Sequence, residues 1–171
     1  AVLCGCSDVD LFANCSRRGF STVPPGLPIQ LRSLDMSGNQ LKKINASEIF
    51  RLSSLEYVDL SRNKLTGFSM DRGQRVHYNL RKLDLSHNRI SSIKGLRLRG
   101  LERLQDLNLA NNQIMSLPSR SLKEVGNSLR LLNLKSNKIM SLESDCFDNL
   151  TVLKELSLTK NKLSSFPKEI F

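Results

Sequence analysis

Leu80-Arg81-Lys82-Leu83-Asp84-Leu85-Ser86-His87-Asn88-Arg89-Ile90 is the stretch on which the reading of this chain turns. It has the form L-x-x-L-x-L-x-x-N-x-L, and five other segments repeat it. Two precede it: Leu31, Leu34, Met36, Asn39 and Leu41, then Leu55, Val58, Leu60, Asn63 and Leu65. Three follow: Leu104 to Ile114 around Asn112, Leu129 to Ile139 around Asn137, and Leu153 to Leu163 around Asn161. The first residues of the six copies lie 24, 25, 24, 25 and 24 positions apart. So regular a period means a solenoid of stacked coils, each burying its apolar face only against its neighbours.

The spacing predicts one short strand per coil, over the second to sixth pattern positions. Side chains alternate along a strand, so the leucines face inward and the residues between them line a concave parallel sheet with strands about 5 Å apart. The Asn follows each strand at a sharp bend. Its amide both donates and accepts, so Asn39, Asn63, Asn88, Asn112, Asn137 and Asn161 should form a structural ladder that satisfies backbone groups left unpaired there. Phe50, Leu98, Leu122, Phe147 and Phe171 recur on the return segments and should close each coil on an irregular or 3-10 convex side. Residues 66–79 are more polar and lack the phenylalanine of this spacing, which reads as an irregular coil. Gly126-Asn127-Ser128 lengthens its repeat by one residue and reads as a looser loop.

Charge and cysteine usage bound the setting. The 171 residues carry a net charge of +10. Arg17 and Arg18 balance Asp8 and Asp10 in the first 30 residues, so the excess sits on the repeats and favours acidic partners. No apolar run is long enough for a transmembrane helix. Cys4, Cys6 and Cys15 crowd the front, which suits a disulfide-stapled element in an oxidising compartment. Zinc fits less well, because no histidine lies near and a further ligand would be required. The sequons at Asn14, Asn45 and Asn149 point to the same compartment, Asn14 least because a cysteine follows it. Cys146, just before Phe147, reads as a small buried apolar side chain. Two domains follow: residues 1–30 as a cysteine-rich cap and residues 31–171 as six repeats. The chain starts almost inside the cysteine motif and stops at Phe171, where another coil should pack. The expectation is a trimmed fragment whose native protein continues.

These features resemble the α/β leucine-rich-repeat solenoids of extracellular proteins. Their front cap has the pattern C-x3-C-x-C-xn-C, and Cys4, Cys6 and Cys15 match its last three cysteines. The resemblance implies a Cys4–Cys15 disulfide, with Cys6 bound to a cysteine outside this sequence. Within that group the chain is most similar to the LRIG family, in which leucine-rich repeats precede immunoglobulin-like domains. The similarity lies in Asn14-Cys15-Ser16-Arg17-Arg18 with Leu27-Pro28, in the irregular coil before Tyr78-Asn79-Leu80, and in the long loop Glu124 to Leu129. It implies a single-pass membrane protein on the outer face of the plasma membrane. It also implies modulation of growth-factor signalling through bone morphogenetic protein (TGF-beta class) receptors or receptor tyrosine kinases.

Columns read across the repeats give the candidate surface. The second pattern position holds Arg32, Glu56, Arg81, Gln105, Arg130 and Lys154. The fifth holds Asp35, Asp59, Asp84, Asn108, Asn133 and Ser157, and the tenth Gln40, Lys64, Arg89, Gln113, Lys138 and Lys162. Three readings stand. The columns are ordinary solvated surface, with Asp59 and Asp84 partly neutralising adjacent arginines. Alternatively, Tyr57, Arg81, Lys82, Asp84, Asp106, Arg130 and Leu131 form a concave protein-binding face, anchored by outward-facing Tyr57 and Leu131. Or Lys64, Arg89, Lys138 and Lys162 form a stripe for heparan sulfate, as in a matrix protein. Stacking aromatics for single-stranded nucleic acid are missing from the pattern. His77 and His87 belong to no catalytic or metal spacing, and no nucleophile, phosphate-loop or dinucleotide motif occurs. The chain therefore reads as a binding module without catalytic residues, metal or cofactor. His87 reads as a position that any polar residue could fill.

Overall fold

The computed structural model describes residues 4–7, 9, 11–44, 48–49, 51–69 and 79–168. Asn45, Phe50, His77, Tyr78 and Phe171 lie outside the described residues. The principal sheet contains β1 (Gly5–Ser7), β2 (Phe12–Asn14), β3 (Ser33–Asp35), β4 (Tyr57–Asp59), β6 (Lys82–Asp84), β8 (Asp106–Asn108), β10 (Leu131–Asn133) and β12 (Glu155–Ser157). They lie side by side in that order. β1 and β2 form an antiparallel hairpin, and every later pairing is parallel. The fold is a leucine-rich-repeat solenoid of about six turns with a disulfide at its front.

Each strand is shorter than the pattern suggested, three residues against five. The backbone bonding nevertheless runs on past both ends. The Glu56 N–H donates to the Arg32 carbonyl at 2.8 Å, and the Met36 N–H to the Asp59 carbonyl at 2.8 Å. The register aligns Leu34, Val58, Leu83, Leu107, Leu132 and Leu156 in one inward row. Leu34, Leu83, Leu107 and Leu132 are at most 2 % exposed. At roughly 1.5–3 kcal/mol per buried aliphatic side chain, such rows are the main source of cohesion between coils.

The bend after each strand has a regular conformation that the sequence did not announce. The residue before each ladder Asn is left-handed: Gly38 (φ 68°), Arg62 (55°), His87 (53°), Asn111 (56°), Ser136 (56°) and Lys160 (56°). Arg17 in the cap repeats it at 52°. A left-handed residue costs about 1–2 kcal/mol when it carries a Cβ, less for Asn, and glycine, having no Cβ, avoids it. His87 is thus in a restricted position, which corrects the reading that any polar residue would serve; a β-branched residue would not. Only Gly38 removes the cost. A side chain there would also press on Arg17, whose Cγ lies 2.9 Å from where a Cβ would stand.

The return side is built from short pieces. β9 (Ser116–Leu117) pairs with β11 (Ser141–Leu142), and β5 (Phe68–Ser69) with β7 (Leu96–Arg97). Single 3-10 turns occur at Ile93–Gly95 and Lys123–Val125. Leu98, Leu122 and Phe147 are buried there. Two expectations change. The segment that starts at residue 66 is not simply polar: Phe68, five residues after Asn63, is buried in β5 in the column of Ile44, Ile93, Leu117 and Leu142. The lengthened loop is not loose either. Gly126 is buried, and a Cβ on it would overlap the Asn149 carbonyl. The Leu129 N–H closes the turn on the Val125 carbonyl at 2.9 Å.

The cap is part of the same sheet. Cys15 is fully buried and disulfide-bonded to Cys4, and the Cys15 N–H donates to the Asp35 carbonyl at 2.8 Å. Cys6 is exposed and has no disulfide partner among the described residues. Cys146 is a buried free thiol, and burial pushes its pKa up to about 11, so it stays protonated and unreactive at neutral pH.

Candidate functional site

The Asn ladder forms the frame on which the surface is held. Asn88 shows its bonding. Its Nδ2 donates to the Leu60 carbonyl of the previous coil (3.0 Å) and to Leu85 (3.0 Å) and Ser86 (3.1 Å) of its own. Its Oδ1 accepts the Leu65 N–H of the previous coil at 3.0 Å. Asn63, Asn112, Asn137 and Asn161 repeat the scheme. Asn39 ties the first coil to the cap, accepting from the N–H groups of Arg18 and Phe20 and donating to the Cys15 carbonyl.

The acidic column has a structural duty as well. In Asp35, Asp59 and Asp84, Oδ1 accepts the N–H two residues on, each at 2.8 Å. Asn108 and Asn133 do the same at 3.1 Å. This side-chain turn holds the start of the bend. The second carboxylate oxygen faces outward; that of Asp84 accepts from Asn108 Nδ2 at 2.9 Å. Burial raises the Asp59 pKa above the ordinary 3.8 despite its bonds from Ser61, with nearby Asp84 and Asp35 adding to the rise. Burial also raises the Asp106 pKa, against the pull of Lys82.

Along the sheet face lies a hollow of about 960 Å³ that runs from Phe12 to Ser157. Its floor is the third pattern column, in the paired order Phe12, Ser33, Tyr57, Lys82, Asp106, Leu131 and Glu155. Tyr57 is 41 % exposed, and Lys82 Nζ stands 5.8 Å from its ring centroid. Lys82 also reaches Asp106 at 3.8 Å. Exposed contacts of this kind contribute about 0–1 kcal/mol each, so they pose the side chains more than they stabilise the fold.

The expected surface residues therefore divide. Tyr57, Lys82, Asp84, Asp106 and Leu131 share the hollow with Asp35 and Asp59 of the fifth column, and with Phe12 and Glu155, which the sequence reading had not singled out. The third column, read as a list, would have found Phe12 and Glu155. Arg81 and Arg130 lie elsewhere, in a groove at the leading edge of the sheet. The arginines are not neutralised by Asp59 and Asp84 as expected. Arg32 and Arg81 both reach Glu56, at 3.6 Å, because Glu56 shares their column. Lys64, Arg89, Lys138 and Lys162 follow the bend on the other edge, where their N–H groups bond the previous coil at 2.8–2.9 Å and set the column spacing. None of the four forms an ion pair among the described residues. Of the sequons, Asn14 is exposed but its Oδ1 accepts from Ser16, and Asn149 is half-buried beside Gly126. No His/Cys/Asp/Glu group suited to a metal occurs among the described residues.

A repeating scaffold with an open, mixed-charge hollow is the architecture of a protein-interaction module. The family model described as "Leucine rich repeat" matches residues 29–75 and 127–171, and "Leucine Rich repeats (2 copies)" matches residues 78–124. This chain belongs to the leucine-rich-repeat family. Among curated proteins it is similar to the leucine-rich repeat and immunoglobulin-like domain-containing nogo receptor-interacting protein 1 of Xenopus tropicalis. That match is 37 % identical over 60 residues, covering 35 % of this chain and 10 % of that protein. The corresponding protein 2 of Mus musculus is 38 % identical over 55 residues, 32 % of this chain and 9 % of that protein. The aligned part thus spans about a tenth of these relatives' length. Their names join leucine-rich repeats to immunoglobulin-like domains, the combination that also defines the LRIG family. Among solved structures, a leucine-rich-repeat protein of Leptospira interrogans gives a TM-score of 0.74 at 32 % identity, covering 91 % of this chain and 38 % of that one. The TLR13–ssRNA13 complex gives 0.73 at 29 %, covering 82 % and 20 %.

Proposed function

We propose that this chain is the ligand-binding part of a cell-surface or secreted protein, and that its hollow sheet face receives a protein partner. The observation that carries this is Tyr57: an exposed aromatic on the floor of a hollow, ringed by charges of both signs. Buried in a complex, such a side chain is a typical energetic anchor. The nogo receptor-interacting relatives, named for a receptor they interact with, favour a receptor as the partner class. The LRIG-like features carry the reading further, to a modulator of growth-factor signalling that engages bone morphogenetic protein type I receptors or receptor tyrosine kinases. The cap disulfide and the sequons favour the outer face of the plasma membrane, in anchored or shed form.

The test is a titration of the glycosylated protein against a panel of such receptor ectodomains, with heparin present and absent. Saturable binding that survives heparin and weakens about tenfold or more in Tyr57→Ala is the expected result, since an anchor residue contributes roughly 2 kcal/mol. Binding unaffected by Tyr57→Ala would move the partner off the hollow. A second reading, a heparan-sulfate-binding matrix protein, is favoured by one observation: Lys64, Arg89, Lys138 and Lys162 are cations without ion-pair partners among the described residues. Steep salt dependence would mark that mode.

A further inference from the structure

The leading edge of the sheet carries a second recess, a groove of about 310 Å³. Three arginines line it, each just ahead of one of three successive strands: Arg81, Arg103 and Arg130. Gln105, Asn127 and Ser128 complete its polar wall. The backbone sets this spacing. The Gln105 N–H donates to the Arg81 carbonyl and the Arg130 N–H to the Gln105 carbonyl, both at 2.8 Å. Arg81 and Arg130 thus stand two strands apart, about 10 Å, with the Gln105 amide between them.

The charges are only partly answered. Arg81 shares Glu56 with Arg32, and Arg103 Nη1 donates to Asn79 Oδ1 at 2.7 Å. Arg130 has no side-chain partner among the described residues, and Glu102 is the one carboxylate lining the groove. Asn127 and Ser128, the two residues ahead of Leu129, reach the wall as Glu102 and Arg103 do ahead of Leu104. The packing of Gly126 against Asn149 then holds them there.

We propose that this groove binds a sulfate ester of a glycan chain. Guanidinium forks bond two oxygens of a tetrahedral oxyanion at once, and amide and hydroxyl donors fill the remaining lone pairs. An open groove suits a group projecting from a larger chain rather than a free small molecule. Lys154, next in the column after Arg130, extends the positive edge in the direction such a chain would run. The buried Cys4–Cys15 disulfide belongs to an oxidising compartment, which favours a sulfated over a phosphorylated ligand. The site shares a ligand class with the second reading above but none of its residues, and it does not depend on what occupies the hollow.

The probe is a heparin dodecasaccharide, titrated against the folded chain and three double variants of exposed or half-buried residues, each checked by thermal melt. Arg103→Ala with Arg130→Ala should weaken binding about tenfold or more, because charged hydrogen bonds to the oxyanion are lost. Arg103→Lys with Arg130→Lys, which keeps the charge and removes the fork, should still weaken it about threefold or more. Lys64→Ala with Lys138→Ala removes the same charge on the other edge and should change it less than about twofold. Equal losses in the two alanine pairs would mean that net charge alone binds heparin, and the groove is overturned. Loss confined to the Lys64 and Lys138 pair would overturn it while supporting the stripe reading. Wild-type affinity in the lysine-for-arginine pair overturns it too. So does a phosphoserine peptide that binds the groove more tightly than the oligosaccharide does.

Discussion

Two columns of polar side chains flank each bend, and they behave differently. The Asn column sits after the bend, buried in all but the last coil, and each member bonds the coil before it as well as its own. The Asp/Asn column sits before the bend, half-buried, and Asp35, Asp59, Asp84, Asn108 and Asn133 each accept one backbone N–H of their own turn. The first is therefore invariant over six coils, while the second drifts from Asp35, Asp59 and Asp84 to Asn108, Asn133 and Ser157. What the backbone needs from the second column is only an acceptor. The choice between carboxylate and amide is left to the surface, so charge can be placed in the hollow without altering the frame.

Neighbours within one coil test this contrast most sharply. Asn88→Ala should cost about 1–3 kcal/mol, because it strands the Leu65 N–H and weakens three carbonyls that are cut off from water. Denaturant or thermal melts measure it, and an unchanged midpoint would erase the distinction between the columns. Asp84→Ala should cost less, about 0.5–1.5 kcal/mol, since the Ser86 N–H it abandons lies nearer solvent. A loss equal to that of Asn88→Ala would show that both columns are structural to the same degree.

The smallest effect has the opposite sign. Burial raises the folded-state pKa of Asp59, so the folded chain binds the proton more tightly than the unfolded chain. That contribution to stability is fully present below the unfolded value near 3.8 and is lost as pH rises through the raised folded value. Asp59→Asn keeps the acceptor for Ser61 and removes the buried charge. It should therefore stabilise the fold slightly at pH 7, and the gain should vanish below about pH 3.8. Melts at the two pH values check it; a variant less stable than the parent at pH 7 would mean the carboxylate is held by bonds an amide cannot copy.

Much of this was legible in the residues. The L-x-x-L-x-L row, the Asn position and the outward direction of Tyr57 and Leu131 follow from period and alternation alone. The left-handed bend was not, because Gly38, Arg62, His87, Asn111, Ser136 and Lys160 share no side-chain chemistry. What they share is a dihedral angle dictated by the stacking of the coils. The Asp column looked like surface charge, since a local turn bond and a free carboxylate leave the same letter in the sequence. Phe68 was missed because it answers to the column five residues after each Asn, not to the return-side spacing of Leu98 and Leu122. Arg81 and Arg130 were grouped with Tyr57 because pattern position says which edge of a strand a residue occupies only once the sheet is drawn. The arginine groove needed, in addition, the sheet order that lines up the residues just ahead of successive strands.

Every Asn in the ladder reaches towards the front of the molecule. Asn63 closes the coil of Asn39, Asn88 that of Asn63, and none reaches the other way. The stack therefore has a direction, like roof tiles laid from one eave. On a ribosome, each coil as it emerges would bring the clasp for the coil already in place, so assembly and synthesis run in the same sense. Under tension the two ends would differ. A force on the last coil lifts one clasp at a time from the coil beneath it, whereas a force on the front must first draw the cap from under the clasp of Asn39.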